Sequence, residues 1–99
     1  MAKPNYSRKA LMDLREIWNY TFDTWSEKQA DKYYRLLDTT CRNIANAPAI
    51  GHRYSEVREG LLGYSCGRHI IFYKVEPDAS VTIVRILRQR MDLVSRLDE

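Results

Sequence analysis

The feature that most constrains the fold is a pair of amphipathic helical patterns that lie only a few residues apart. Apolar residues recur every three or four positions after Ser7 and again after Ser26, and serine is a strong helix N-cap residue. Gln29 follows Ser26 at the spacing of a capping box. The second pattern ends before Pro48, because a residue that precedes proline is disfavoured in helical geometry. Because only a few residues separate the two helical patterns, the sequence predicts an antiparallel helical hairpin.

The second half of the chain changes to a strand pattern. Residues 61–65, 69–75 and 81–87 are rich in β-branched and aromatic residues and are separated by short turns, which predicts an antiparallel meander. Residues 3–6 are expected to add a short edge strand, since Pro4 cannot donate a ladder hydrogen bond. The predicted order is β-α-α-β-β-β. This is an α+β fold with the helical hairpin packed on a small, mainly antiparallel sheet, in a single domain covering residues 1–99.

Length and composition exclude several classes of protein. A chain of 99 residues supports one modest core without room for a large enclosed active site. No apolar run approaches the roughly 18 residues of a membrane helix, and residues 1–6 lack the apolar region of a secretory signal. The cysteines, Cys41 and Cys66, have no metal-ligand spacing. We therefore expect a cytoplasmic protein with no membrane association, no metal and no cofactor.

The basic residues are concentrated and mostly arginine. Residues 51–90 carry seven Lys or Arg and four Asp or Glu, a net charge of +3, and six of the seven are Arg. Arg suits planar, bidentate contact with carboxylate or phosphate. The arginines alternate with acids rather than forming a basic stripe, which favours an acidic protein over nucleic acid as the partner. Ordinary solvated surface charge is the alternative interpretation.

Aromatic residues point to a binding surface as well. The chain has seven tyrosines and two tryptophans, more large rings than one small core can bury completely. Tyr, Trp and Arg are enriched at interaction hot spots. The sequence thus favours an exposed surface lined by aromatic residues and Arg, although half-buried core positions would account for many of these rings.

The residues offer two possible catalytic arrangements. Cys66 and His69 lie three positions apart across a turn, but a nucleophilic pair also needs an orienting group and none is evident. RNA cleavage without a metal needs a base, an acid and cations. Arg85, Arg88 and Arg90 could supply the cations, yet no His or Tyr follows residue 73. Both arrangements are disfavoured, and His52 is expected to lie on a loop surface.

Five segments taken in order resemble the ParE toxins of the RelE/ParE superfamily. They are DLREI at 13–17, APAIG at 47–51, VREG at 57–60, HIIFYKV at 69–75 and VRILRQRMD at 84–92. The resemblance covers about Tyr6 to Leu93. ParE relatives often have His where Arg88 stands and Ser where Cys66 stands, so this chain departs from the pattern at two positions.

The resemblance implies the toxin of a type II toxin–antitoxin system, a non-enzymatic protein that binds and poisons DNA gyrase and arrests growth. It also implies a ParD-like antitoxin that carries the DNA-binding domain, so this chain alone is not expected to bind specific DNA sequences. The RelE branch instead cleaves mRNA on the ribosome, which leaves a ribosome-dependent endoribonuclease as the alternative function. A toxin that retains its antitoxin but has lost its cellular target is a third hypothesis.

Two sets of contact residues follow as expectations. An amphipathic antitoxin segment is expected to lie over the helical hairpin and the sheet, with its acids paired to arginines. The candidate antitoxin contacts are Arg58, Arg68, Arg85, Trp18 and Tyr33. The candidate gyrase contacts are Arg88, Gln89, Arg90, Met91 and Asp92.

Overall fold

The helical hairpin forms as the caps predict. In the computed structural model, which describes residues 2–89 and Leu97, helix α1 spans Arg8–Thr24 and helix α2 spans Glu27–Asn46. The Ser7 hydroxyl accepts a hydrogen bond from the Ala10 amide at 3.0 Å, and the Ser26 hydroxyl accepts one from the Gln29 amide at 3.0 Å. Pro48–Ile50 form a 3-10 turn directly after α2. Both predicted helix starts are confirmed.

A five-stranded sheet packs beside the hairpin. Its strands are β1 (Asn5–Tyr6), β2 (His52–Arg53), β3 (Leu62–Cys66), β4 (His69–Val75) and β5 (Val81–Arg88), in the spatial order β1-β5-β4-β3-β2. The β1–β5 pair is parallel and the other pairs are antiparallel. The α+β prediction is confirmed. One correction concerns His52, which was expected on a loop and lies in β2, because residues 52–53 pair with Gly63 and Leu62.

The sheet has an apolar cluster on each face. The helices cover one face, where Leu37, Ile44 and Ile83 are fully buried in the larger cluster. On the other face Phe72 is fully buried, and Leu97 packs in the same smaller cluster. Residue 97 therefore closes a second small core that the strand pattern alone did not indicate.

The Tyr73 hydroxyl fastens the segment after α2 to the sheet. Tyr73 is fully buried on the helix-facing side of β4. Its hydroxyl donates to the Pro48 carbonyl at 2.6 Å and accepts from the Gly51 amide at 2.9 Å. These two bonds satisfy the buried phenol and fix the path by which the chain leaves the hairpin.

Neither a membrane-spanning helix nor a metal-binding cluster is found among residues 2–89 and 97. No helix in that part of the chain is long and apolar enough to cross a membrane. Within the same residues, no group of three or more His, Cys, Asp or Glu side chains is placed to hold a metal ion.

Candidate partner-binding groove

An open groove of about 650 Å3 runs between α1 and the adjoining ends of the sheet. One wall is α1, and the other is built from the turn between β3 and β4 and the C-terminal end of β5. The first two turns of α2 close one side. The lining residues are Asp13, Glu16, Ile17, Tyr20, Thr21, Trp25, Gln29, Tyr33, Gly67, Arg68, His69, Ile86, Leu87 and Arg88.

The α1 wall exposes large aromatic side chains. Ile17, Tyr20 and Thr21 lie three and four residues apart, so they share one face of the helix. Tyr20 is 56% exposed, and Trp25, at the end of α1, is 66% exposed. Large exposed aromatic rings of this kind are typically buried by a partner at an interaction hot spot.

The sheet wall carries positive charge. Arg88 is the residue opposite His69 across the β4–β5 pair, and its guanidinium lies 5.8 Å from the centre of the Tyr20 ring. Arg68, in the turn before β4, lines the same end of the groove. The backbone of Gln89 is held there too, since its amide donates to the Arg68 carbonyl at 3.1 Å. Among the described residues, the groove therefore ends in two exposed arginines, Arg68 and Arg88, beside an aromatic wall.

The Tyr33 hydroxyl positions this charged end. It accepts a hydrogen bond from the Arg68 amide at 3.0 Å and lies 2.7 Å from Nδ1 of His69. Glycine is required at position 67, just before Arg68 in the same turn, for two reasons. Its φ of +58° is in the left-handed region, and a Cβ there would lie 2.7 Å from the Tyr33 hydroxyl. Helix α2 thus holds the β3–β4 turn, and with it Arg68 and His69, in one arrangement.

His69 is neutral at physiological pH. Burial lowers its pKa from 6.5 to about 4, and the positive charge of Arg88 acts in the same direction, while Asp13 opposes them. The unfolded chain binds a proton near pH 6.5, whereas the folded chain does so only near pH 4. The neutral His69 side chain therefore contributes to the stability of the fold above pH 6.5. This contribution to the free energy of unfolding is lost as the pH falls toward 4.

We predict that the His69→Gln variant loses part of the acid sensitivity of the fold. Urea unfolding of the wild-type chain should show a free energy of unfolding that falls between pH 6.5 and pH 4, because the unfolded state binds the extra proton. In the variant this fall should be smaller. His52→Gln, at the exposed end of the sheet, is the matched control and should retain the wild-type slope. Equal slopes in all three proteins would contradict the assignment to His69.

A buried ion pair supports the floor of the groove. Asp13 accepts from Nε of Arg85 at 2.8 Å and Nη2 at 3.0 Å, and also from the Ile86 amide at 2.9 Å. A register shift makes this possible: Tyr73 pairs with Ile83 while Phe72 pairs with Arg85. Val84 is left as the extra residue of the bulge, and Arg85 turns toward α1. The pair connects α1 to β5 beside the groove, which Asp13 and Ile86 both line.

The structure brings some of the predicted contact residues together and separates others. Tyr33, Arg68 and Arg88 line the groove, and Gln89 adjoins it. Arg85 is 7% exposed and is held by Asp13, so it serves the fold rather than presenting a free surface.

The remaining predicted contacts lie elsewhere. Arg58 donates to the Leu97 carbonyl at 2.6 Å, on the side of the second small core. Trp18 donates to Asp31 at 3.0 Å across the helical hairpin. Arg90, Met91 and Asp92 lie outside the described residues.

The two thiols have no place in the groove. Cys66 is buried, and its sulfur lies 3.3 Å from the Thr40 hydroxyl, whereas His69 contacts Tyr33. Burial raises the pKa of Cys41 to about 12, which makes this thiol unreactive at neutral pH.

Sequence reasoning did not single out Tyr20 and Trp25 as groove residues. The sequence indicates them only as members of a large set of aromatic residues. The signal was present in the spacing of Asp13, Ile17 and Tyr20, which places them on one face of α1. That spacing alone could not show which element faces them.

Comparison with known proteins agrees with the fold and with the ordered motifs. The family model described as "ParE toxin of type II toxin-antitoxin system, parDE" matches residues 5–93. The toxin ParE1 of Mycobacterium tuberculosis is 39% identical over 87 residues, which cover 88% of this chain and 89% of that protein. The toxin ParE1 of Caulobacter vibrioides is 36% identical over 91 residues, covering 92% and 93%.

A solved structure shares the same architecture. It is titled "Chromosomal ParDE TA system from P. aeruginosa" and superposes with a TM-score of 0.75 over 89% of this chain and 96% of that chain, at 22% identity. The order of elements, the residues matched by the family model and the identity to two ParE1 toxins all agree. This chain belongs to the ParE toxin family of type II toxin–antitoxin systems.

Proposed function

We propose that this toxin arrests bacterial growth from within the cytoplasm by binding DNA gyrase and trapping it on cleaved DNA. We further propose that a ParD-like antitoxin neutralises it. The observation that carries the proposal is the groove. It concentrates exposed Tyr20, Trp25, Arg68 and Arg88, the residue types that dominate protein interfaces.

The chemistry of the groove supports a binding role rather than catalysis. Cleavage of RNA would need a base for the 2′-hydroxyl, an acid for the leaving oxygen and cations for the developing charge. His69 and the two arginines provide a neutral imidazole and cations. Tyr33 is the nearby hydroxyl, but burial raises its pKa, and it already contacts the Arg68 amide and His69. It is thus poorly suited to give up a proton.

The alternative is a ribosome-dependent mRNA endoribonuclease of the RelE type. One observation favours it, namely that β4–β5 pairing places the neutral imidazole of His69 opposite Arg88. A low pKa makes His69 a weak base, however, because its conjugate acid gives up the proton too readily. The gyrase proposal therefore stands first.

The antitoxin contact is proposed to use the groove and its arginines. An amphipathic segment with acidic residues would place carboxylates against Arg68 and apolar side chains along the α1 wall, in the helix-in-groove manner. The position of Arg58 near Leu97 and the pairing of Arg85 with Asp13 make Arg68 the strongest candidate among the three arginines predicted for this role. The Tyr33 hydroxyl holds the backbone of Arg68 in place, whereas Trp18 is directed toward α2, where it donates to Asp31.

Expression of the chain without an antitoxin tests the function in cells. We predict that growth stops and that a DNA-damage response is induced, because gyrase trapped on cleaved DNA leaves double-strand breaks. Co-expression of a cognate ParD-like antitoxin should restore growth. Total mRNA should remain intact in the first minutes of arrest.

Other outcomes would assign a different function. Rapid loss of ribosome-bound mRNA without DNA damage would contradict the proposal and support the endoribonuclease. Normal growth together with a stable antitoxin complex would indicate a binding module that lacks a cellular target.

A further inference from the structure

The outward side of α2 carries a basic stripe that lies outside the groove. Its residues follow one another at spacings of three and four, so they share one face of the helix. The face is made by six exposed residues, namely Lys28, Lys32, Arg35, Thr39, Arg42 and Asn46. The buried residues of α2 lie on the opposite side of the helix, and none of the six lines the groove. We call these six residues the α2 face.

The first three cations of the α2 face have no acidic partner in the described part of the chain. Lys28, Lys32 and Arg35 form none of the ion pairs found there. The neighbouring acid Asp31 accepts a hydrogen bond from Trp18 at 3.0 Å, so it lies on the side of α2 that faces α1. Because none of the six residues of the α2 face is acidic, its positive charge is not balanced within the face.

The chemistry of the α2 face fits a phosphate backbone better than a protein partner. Protein interfaces are anchored by buried aromatic and apolar side chains, and the α2 face consists only of Lys, Arg, Thr and Asn. These are among the side chains that contact the phosphates of DNA. From Lys28 to Arg42 the face extends about 21 Å, which is the axial length of roughly six base pairs of B-DNA.

We propose that the α2 face binds the phosphate backbone of duplex DNA without sequence preference. Phosphate contacts position a protein on the duplex and carry no sequence information. The role of this contact rests on the proposed function, in which the DNA is the segment that gyrase holds. Binding to gyrase raises the effective concentration of that DNA at the toxin, so that a weak backbone contact strengthens trapping.

The test compares two triple substitutions that lower the net charge equally. The face variant carries Lys28→Gln, Lys32→Gln and Arg35→Gln. The scattered variant removes three exposed cations outside α2, through Lys3→Gln, Lys9→Gln and Arg53→Gln. Glutamine is about as good a helix former as lysine or arginine, so both proteins are expected to fold, and thermal unfolding checks this.

Fluorescence anisotropy with a labelled duplex of mixed sequence measures DNA binding by the purified full-length proteins. We expect the logarithm of the wild-type affinity to fall with the logarithm of the salt concentration at a slope of about −3, because three cations release counterions. At low salt the face variant should bind the duplex at least tenfold more weakly. The scattered variant should stay within about twofold of wild type.

A DNA-cleavage assay gives a second readout, the toxin concentration that traps gyrase. At low salt the face variant should require at least threefold more toxin than wild type or the scattered variant. This difference should disappear as the salt concentration rises, since salt removes the backbone contact from the wild-type toxin. A folding defect alone would not produce a difference that vanishes with salt.

Three results would overturn the DNA contact. The first is a face variant that keeps the wild-type affinity and salt slope for the duplex. The second is an equal loss in both triple variants, which would assign binding to net charge alone. The third is duplex RNA that displaces the labelled DNA at a tenfold lower concentration than unlabelled DNA does. A wild-type toxin that binds the duplex and leaves gyrase unaffected is a different failure, which would overturn the proposed function and leave the DNA contact standing.

Discussion

Replacing Asp13 by asparagine is expected to lower the free energy of unfolding by about 3–5 kcal/mol, the usual effect of removing one partner of a buried ion pair. The carboxylate accepts hydrogen bonds from Nε and Nη2 of Arg85 and from the Ile86 amide. Asparagine keeps the size of the side chain but removes the negative charge and one acceptor oxygen. The Arg85 guanidinium, 7% exposed, would then lose a carboxylate that helps to offset its desolvation.

Urea unfolding monitored by circular dichroism measures this effect. Arg42→Ala is the matched control, because Arg42 forms a surface pair with Asp38 one helical turn away at 3.1 Å. Exposed pairs of this kind contribute little, so the control should leave the unfolding midpoint almost unchanged. If Asp13→Asn proves no more destabilising than the control, the pair does not hold α1 to β5 as described.

Truncating Phe72 to alanine is expected to destabilise the fold by about 3–5 kcal/mol as well. Phe72 is fully buried on the face of the sheet away from the helices, and its ring meets the Tyr54 ring edge-on, with centroids 5.1 Å apart. Removal of the ring leaves a cavity between β4 and Leu97, and the loss combines apolar transfer free energy with the cavity.

The other phenylalanine of the chain provides the control. Phe22 lies on α1 at 45% exposure, stacked on Trp18 with centroids 5.2 Å apart. Phe22→Ala should cost about 1 kcal/mol or less, since much of that ring is already in water. Comparable losses for the two substitutions would show that the second face of the sheet is not a packed core.

Local chemistry was enough to predict most of the fold. Ser7 and Ser26 cap helices through their own hydroxyls, Pro48 stops α2, and the strand residues of β4 at 69–75 were predicted with their observed bounds. These signals act over a few residues, so the sequence displays them directly. The two-residue strand β2 was missed because its pairing with Gly63 and Leu62 depends on where the chain returns after the hairpin.

For the groove, the sequence indicated the residue types of a binding surface and did not show how the fold assembles them. Asp13 lies off the apolar stripe of α1, and that position predicts a surface residue. It is nevertheless buried, because Arg85, 72 positions later in the chain, donates hydrogen bonds to it. The same long-range pairing withdraws Arg85 from the surface and leaves Arg68 and Arg88 as the exposed cations of the groove. Whether each of these charged residues is buried or exposed depends on which elements pack together. The spacing of residues within one element does not show this.

A DNA-cleavage assay with purified gyrase, supercoiled plasmid DNA and this chain tests directly whether the toxin acts on gyrase. We expect wild-type toxin to cause cleaved DNA to accumulate in a concentration-dependent way, and prior addition of the antitoxin should abolish the effect. Arg53→Glu toxin, altered at an exposed position in the edge strand β2, should still trap gyrase, whereas Arg88→Glu should not. Absence of cleaved DNA at every concentration of correctly folded wild-type toxin would contradict gyrase trapping as the function of this chain.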